Sequence, residues 1–279
     1  MTSGTIEALL GFSRRDGEKG EPGDLAVPGY PDNRIVQVPC AIYDARRHAP
    51  SLHREGFELV RHGSAHVGQR DKAALARDYH AEMAGFLKQH LGASTVLASA
   101  GSALLVRYGA RLVGRHPFER PTDIIDDRIP ASFNHIDYYP EVALGSARAM
   151  GGPEHYSRFI LVQSWRAVSG APQDVPLALC DRRTLADGDL SPRTGILAPE
   201  NAPGLADPSF TIGGIHHNPA QRWYYYPDMV PDEVLLFTGY DSAHADGWKV
   251  GHGAFDNRHT HPDAPARVSF EARFYAFWD

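Results

Sequence analysis

Two residues near the middle of the chain are spaced for chemistry: His135 and Asp137, inside Phe133-Asn134-His135-Ile136-Asp137-Tyr138-Tyr139. Branched and aromatic neighbours favour an extended backbone. In a strand, side chains at i and i+2 leave the same face. An imidazole nitrogen and a carboxylate oxygen then point into one space. That is two thirds of the 2-His-1-carboxylate set that holds non-haem Fe(II) with coordination positions left open. The same parity sends Tyr139 to the Asp137 side as a pocket residue and Tyr138 to the core.

The third ligand has to come from a later strand, from among His216, His217, His244, His252, His259 and His261. His252 sits in Val250-Gly251-His252-Gly253-Ala254-Phe255, where small residues on both sides let a metal or cosubstrate approach the backbone. His216 and His217 are adjacent, so a regular strand cannot aim both at one metal. His244 follows the turn-like Tyr240-Asp241-Ser242. His259 and His261 lie in a polar, proline-containing stretch. Fifteen residues after His252 comes Arg267-Val268-Ser269. Arg267 and Ser269 share a face, and a guanidinium fork grips a carboxylate through two parallel hydrogen bonds to which a hydroxyl adds a third. A histidine followed by Arg-x-Ser supplies a ligand and then an anchor for a dicarboxylic cosubstrate, which suits 2-oxoglutarate. Arg273 has the same parity and competes for that anchoring role.

The elements that must position these residues are mostly short strands. Thr5 to Phe12 is an apolar run of either kind, and Ser13 to Asn33 is a polar arm rich in Gly and Pro. Ile35 to Val38 alternates and extends past Pro39 to Tyr43. Gly56 to Val60 is a further strand. Asp71 to Leu91 is a helix, with Leu75, Tyr79, Met83, Phe86, Leu87 and His90 at three- and four-residue steps and Gly92 closing it. Strands follow at 95–98, 103–108, 158–165, 175–180, 222–226, 233–240 and 267–277. The segments 117–130 and 186–208 read as loops. One helix followed by many short strands predicts an antiparallel jelly roll, a mainly β, cupin-like fold with flanking helices. No internal repeat or linker divides residues 1–279, so a single domain is expected.

Composition narrows the function. Of 279 residues, 42% are apolar, with 12 Phe, 12 Tyr and 4 Trp, enough for a sizeable core. A net charge of -6 without a basic run argues against nucleic acid. No apolar stretch reaches the length of a membrane span. The two cysteines, Cys40 and Cys180, are read as small buried hydrophobes in a reducing cytoplasm. Fifteen histidines are unusual, and histidine is the commonest metal ligand.

A family resemblance runs in order from Ile35 to the C-terminus. It is carried by Trp165-Arg166, Pro176 to Asp181, Trp223 to Met229, Asp232 to Phe237, Tyr240-Asp241-Ser242, His252 to Phe255 and Arg267 to Arg273. Together these resemble the CmcJ/NvfI family of oxygenases, which includes hydroxylase/desaturases, an endoperoxidase and a component of cephamycin methoxylation. The resemblance implies a double-stranded β-helix, Fe(II) and 2-oxoglutarate. It carries the iron ligands onto His135, Asp137 and His252 and the cosubstrate anchor onto Arg267 with Ser269. One departure stands out: Gln163-Ser164-Trp165-Arg166-Ala167 replaces the family's Asn-x-Trp-Arg-Pro. Trp165, Tyr224 and Tyr226 are candidate pocket walls. The expected activity is oxidation of an unactivated C–H in a small natural product with O2, by hydroxylation, desaturation or endoperoxidation. The expected partners are that small molecule and a homodimer mate or neighbouring biosynthetic enzyme. Two alternatives use the same barrel: a Zn or Mn hydrolase or isomerase, and a non-catalytic binding protein.

Overall fold

The computed structural model describes residues 4–15, 35–67, 72–99, 105–108, 131, 133–196, 209–244 and 249–279. The arm expected at 13–33 therefore lies outside it after Arg15, as does the loop expected at 117–130.

Two sheets face one another. The larger contains β1 (Thr5–Ser13), β2 (Ile35–Asp44), β6 (His135–Ile136), β8 (Leu177–Cys180), β9 (Leu190–Ile196), β10 (Ser209–Ile215), β11 (Trp223–Tyr225) and β13 (His252–Ala254). Their order is β1-β2-β11-β8-β13-β6-β10-β9. The smaller runs β3 (Phe57–Arg61), β12 (Glu233–Asp241), β7 (Arg158–Ala167), β14 (Val268–Trp278) and β4 (Thr95–Ala98), with β5 (Leu105–Tyr108) also on β14. Helices α1 (Lys72–Leu91) and α2 (Pro140–Ala149) flank them. The expected jelly roll is the observed fold.

Alternation along the long strands sets the layers. One face of β7, β12 and β14 presents Ile160, Val162, Val234, Leu236, Phe270, Ala272 and Phe274 to Tyr79, Met83 and Leu87 of α1. Tyr79 is therefore core, its hydroxyl accepting from Arg166 Nε at 3.2 Å. The opposite face turns Trp165, Ala167, Leu235 and Phe237 toward Leu179, Tyr224, Tyr226 and Val250 of the large sheet. The large sheet also curls, so that β1 folds back against β10 and β13. Its curl encloses Leu10, Phe12, Ile42, Ile136, Cys180, Trp223 and Phe255.

Several expectations need correction. The segment 186–208 is not one loop: it carries a 3-10 turn at Asp187–Asp189 and then strand β9, which pairs antiparallel with β10. Pro192 hid β9, yet β9 is the outermost strand, where a missing N–H is tolerated. Strand β10 carries two adjacent glycines, Gly213 and Gly214, which weaken any strand pattern there. A Cβ at Gly213 would meet Ile136, and one at Gly214 would meet Ser13 Oγ, so both glycines answer to close neighbours. Helix α2 was also unforeseen, although Pro140 at its first turn is a start signal. Cys180 is buried as expected, whereas Cys40 is only half-buried.

Candidate metal centre

Strand β6 is two residues long, far shorter than 133–139 suggested. The chain bends at Asp137 and enters α2 with Tyr139 as its N-cap. Even so, His135 and Asp137 converge: His135 Nε2 lies 3.4 Å from Asp137 Oδ1. The remaining donor comes from β13, where His252 pairs directly with His135 across the antiparallel ladder. Their ring centroids are 4.5 Å apart, and His252 Nε2 is 3.9 Å from Asp137 Oδ2. Among the described residues, His135, Asp137 and His252 are the group of three His, Cys, Asp or Glu side chains able to hold a metal ion, their donor atoms all within 4.8 Å. Of the other histidines, His216 is held by Ser13 O through Nδ1 at 2.7 Å, and His244 turns to Asp241 at 3.7 Å.

Both imidazoles are oriented from behind. His135 Nδ1 is 2.9 Å from Phe133 O, and His252 Nδ1 is 3.2 Å from Val250 O. A carbonyl only accepts, so each Nδ1 carries the proton and each Nε2 keeps a lone pair toward the centre. Phe237 packs on His252 with centroids 4.8 Å apart. Burial brings the His252 pKa down to about 4, so its ring is neutral at pH 7. Burial alone would raise the Asp137 pKa, but the Arg273 guanidinium beside it is the foremost opposing influence, and Asp137 is held well below the usual carboxylate range. The centre thus offers two imidazole nitrogens and one ionised carboxylate oxygen.

The small sheet supplies the other wall. A cleft of about 330 Å³, counting its open mouth, is lined by His135, Asp137, Trp165, His252, Arg267 and Glu271, among others. Arg267 is buried. Its backbone N–H donates to Asp174 at 2.8 Å, its Nη1 donates to Val175 O, and its guanidinium lies 5.3 Å from the Trp165 ring centroid. The buried Ser269 hydroxyl has no hydrogen-bond partner among the described residues. An orphaned buried hydroxyl is costly in a finished core and natural where a ligand completes it. That observation, with the donor set, fits Fe(II) and a carboxylate-bearing cosubstrate in this cleft.

Other candidates go elsewhere. Arg273 is drawn to carboxylates behind the centre: Nη2 donates to Asp137 Oδ2 at 2.8 Å and to Glu271 Oε1 at 2.7 Å. Tyr139 packs into the core of the curled sheet, while Tyr138 lies beneath Arg273, 5.8 Å from guanidinium carbon to ring centroid. Tyr138 thus packs against the core formed by Ala143, Phe159 and Tyr240, and neither tyrosine lines the cleft, because strand parity ends at the Asp137 bend. Tyr224 and Tyr226 belong to the packing between the sheets and do not line the cleft, since β11 is separated from β13 by β8. Trp165 does line it. Glu271 was missed, although its parity with Arg267 and Ser269 on one strand was a usable signal.

A jelly roll closed over two histidines and an aspartate defines the class, a non-haem metal enzyme of the double-stranded β-helix type. The chain belongs to the YDMC family, described as an oxidoreductase/YMDC permease-like domain, which matches residues 20–277. No described helix is long and apolar enough to cross a membrane. Among its relatives, the hydroxylase/desaturase efuI of Hormonema carpetanum is 31% identical over 100% of this chain and 97% of its own. The Fe(II)/2-oxoglutarate-dependent dioxygenase nvfI of Aspergillus novofumigatus is 26% identical over 84% of this chain and 83% of its own. The solved iron and alpha-ketoglutarate-dependent endoperoxidase NvfI superposes with a TM-score of 0.76 over 98% of both chains at 23% identity, a likeness of fold.

Proposed function

We propose that this protein is an Fe(II)/2-oxoglutarate-dependent dioxygenase that oxidises an unactivated C–H bond of a small natural product. The observation that carries the reading is the convergence of His135, Asp137 and His252 beside a cleft that also holds Arg267 and Ser269. The relatives named for iron and 2-oxoglutarate support it. His135, Asp137 and His252 would hold the iron on one face. When bound, iron(II) with 2-oxoglutarate and O2 supplies the oxidant for C–H cleavage while the cosubstrate becomes succinate and CO2. The protein's part is binding, orientation and exclusion of water. Arg267 and Ser269 would receive the far carboxylate of the cosubstrate, a charge-assisted contact in a site from which water is largely removed. Hydrogen bonds to the Asp174 carboxylate and the Val175 carbonyl fix Arg267 beforehand, so little ordering is left for the moment of binding. Trp165 and Leu177 form an apolar boundary. The efuI and NvfI relatives carry hydroxylase/desaturase and endoperoxidase names, and hydroxylation, desaturation and endoperoxidation are the outcomes open to this site. Both cysteines are free, in keeping with a reducing cytoplasm.

The test is spectroscopic. Protein given Fe(II) and 2-oxoglutarate without oxygen is expected to develop a visible charge-transfer absorption that His135→Ala and Asp137→Ala abolish. Persistence of the band and of full iron binding in both variants would refute the site. Turnover of 2-oxoglutarate to succinate that depends on O2 separates this reading from a Zn or Mn hydrolase.

A further inference from the structure

The Asp137 carboxylate has two oxygens, and they are treated differently. Oδ1 lies toward His135 Nε2. Oδ2 receives the Arg273 guanidinium at 2.8 Å. Arg273 is itself immobilised. It sits directly opposite Gln163 in the β14–β7 ladder, and its Nε donates to Gln163 Oε1 at 3.1 Å. Two residues earlier on the same face of β14, Glu271 takes Nη2 at 2.7 Å. All three charged side chains are nearly out of water, with 11%, 13% and 9% exposure for Asp137, Arg273 and Glu271. Charges so placed persist only if paired. Here one cation bridges two anions, and Gln163 fills a further donor direction.

We propose that Arg273 is a positioning residue which, by occupying Asp137 Oδ2, holds Asp137 to one-oxygen binding of the metal. Carboxylates bind metals through one oxygen or two. A second Asp137 oxygen on the metal would consume one of the positions that a bidentate cosubstrate and O2 both require. Arg273 blocks that swing, and Gln163 and Glu271 keep Arg273 in place. Two of its three nitrogens are committed in this way, which assigns it to the ligand and leaves the cosubstrate carboxylate to Arg267.

The inference rests on the metal-binding reading above, so the experiment begins with the wild-type protein. Co(II) alone, without 2-oxoglutarate, is titrated by its d–d absorption. The variants are Arg273→Gln, Arg273→Lys and the double change Arg273→Gln with Glu271→Gln, which removes one charge of each sign and so separates folding from clamping. Circular dichroism and Tm confirm the fold, and the double variant decides the matter where the single change does not fold. Both Gln variants are expected to bind Co(II) 10–100-fold more weakly, the usual cost of losing a partner of a metal ligand, and with an altered d–d spectrum. Arg273→Lys, able to reach one oxygen, is expected to restore the wild-type spectrum. Wild-type affinity and spectrum in a folded Gln variant would overturn the inference alone. So would a defect that emerges only when 2-oxoglutarate is present, since that marks a cosubstrate anchor. Absence of Co(II) binding in the wild type would overturn the functional reading and this inference with it.

Discussion

The two sheets contribute to the centre in opposite ways. The large sheet brings His135 and His252 on strands of two and three residues. The small sheet brings Trp165, Ser269, Glu271 and Arg273 on strands of ten and eleven residues, with Arg267 one position before β14. Short strands carry few ladder bonds of their own, and their histidines depend on local carbonyls and on neighbours packed behind them. The long strands bury one face against α1 and spend the other on the site, so their polar groups stand on a rigid floor. The two histidines and the proposed cosubstrate anchor thus have separate mechanical supports, while Asp137 is held from the small sheet by Arg273, and substitutions at Gly253 and Arg267 are expected to separate metal binding from cosubstrate binding.

The sharpest break comes from the small sheet. Arg267→Leu is expected to weaken 2-oxoglutarate binding about 100-fold, from the loss of ~3 kcal/mol for a charge-assisted carboxylate contact, while Co(II) affinity without cosubstrate stays within a few-fold of wild type. Parallel titrations of metal and cosubstrate check this, and an unchanged cosubstrate requirement would remove Arg267 from the anchoring role. The converse change lies on the large sheet. A Cβ at Gly253 would collide with Asn134 Oδ1 and come within 3.0 Å of Phe133 O, the carbonyl that holds the His135 ring. Gly253→Ala is expected to weaken metal binding about 10-fold, the scale of a disturbed ligand partner. If it instead impaired only cosubstrate binding, the division between the sheets would fail. The smallest effect sharpens the fit of the cleft. Ser269→Ala removes a buried hydroxyl that has no partner among the described residues. It is therefore expected to leave Tm unchanged or raise it, because no hydrogen bond is lost and a desolvation cost of ~1 kcal/mol or more disappears. Cosubstrate affinity is expected to fall about 5-fold, the equivalent of ~1 kcal/mol. A drop in Tm would mean that the hydroxyl serves the fold.

How much of this was readable in the chain follows from length and repetition. Strands β7, β12 and β14 announce themselves because nine to eleven residues give alternation room to register. The helix over 72–91 does so through its three- and four-residue steps. Strand β9 was masked by its proline and β10 by its paired glycines, both of which answer to edge position and crowding that only the tertiary structure supplies. The i, i+2 spacing of His135 and Asp137 located the right residues through a premise only partly true, since the strand stops at Ile136 and a bend completes the convergence. The same premise carried two residues further does not bring Tyr139 to the cleft, since Tyr139 packs into the curled sheet. Tyr224 and Tyr226 lie on a face that meets packing between the sheets. Glu271 was legible from parity alone. Its partnership with Arg273 and Asp137 was not, because that depends on where α2 begins.

One small feature is repeated at both histidines. Each histidine is tied through Nδ1 to the carbonyl two residues before it, Phe133 for His135 and Val250 for His252. The direction of each ring is therefore set first within its own three-residue segment, before the chain between them brings the two strands together. That intervening chain then adds Asp137 to the donor set and Phe237 against the His252 ring, so one histidine is steadied by an aromatic neighbour while both share the same carbonyl tether.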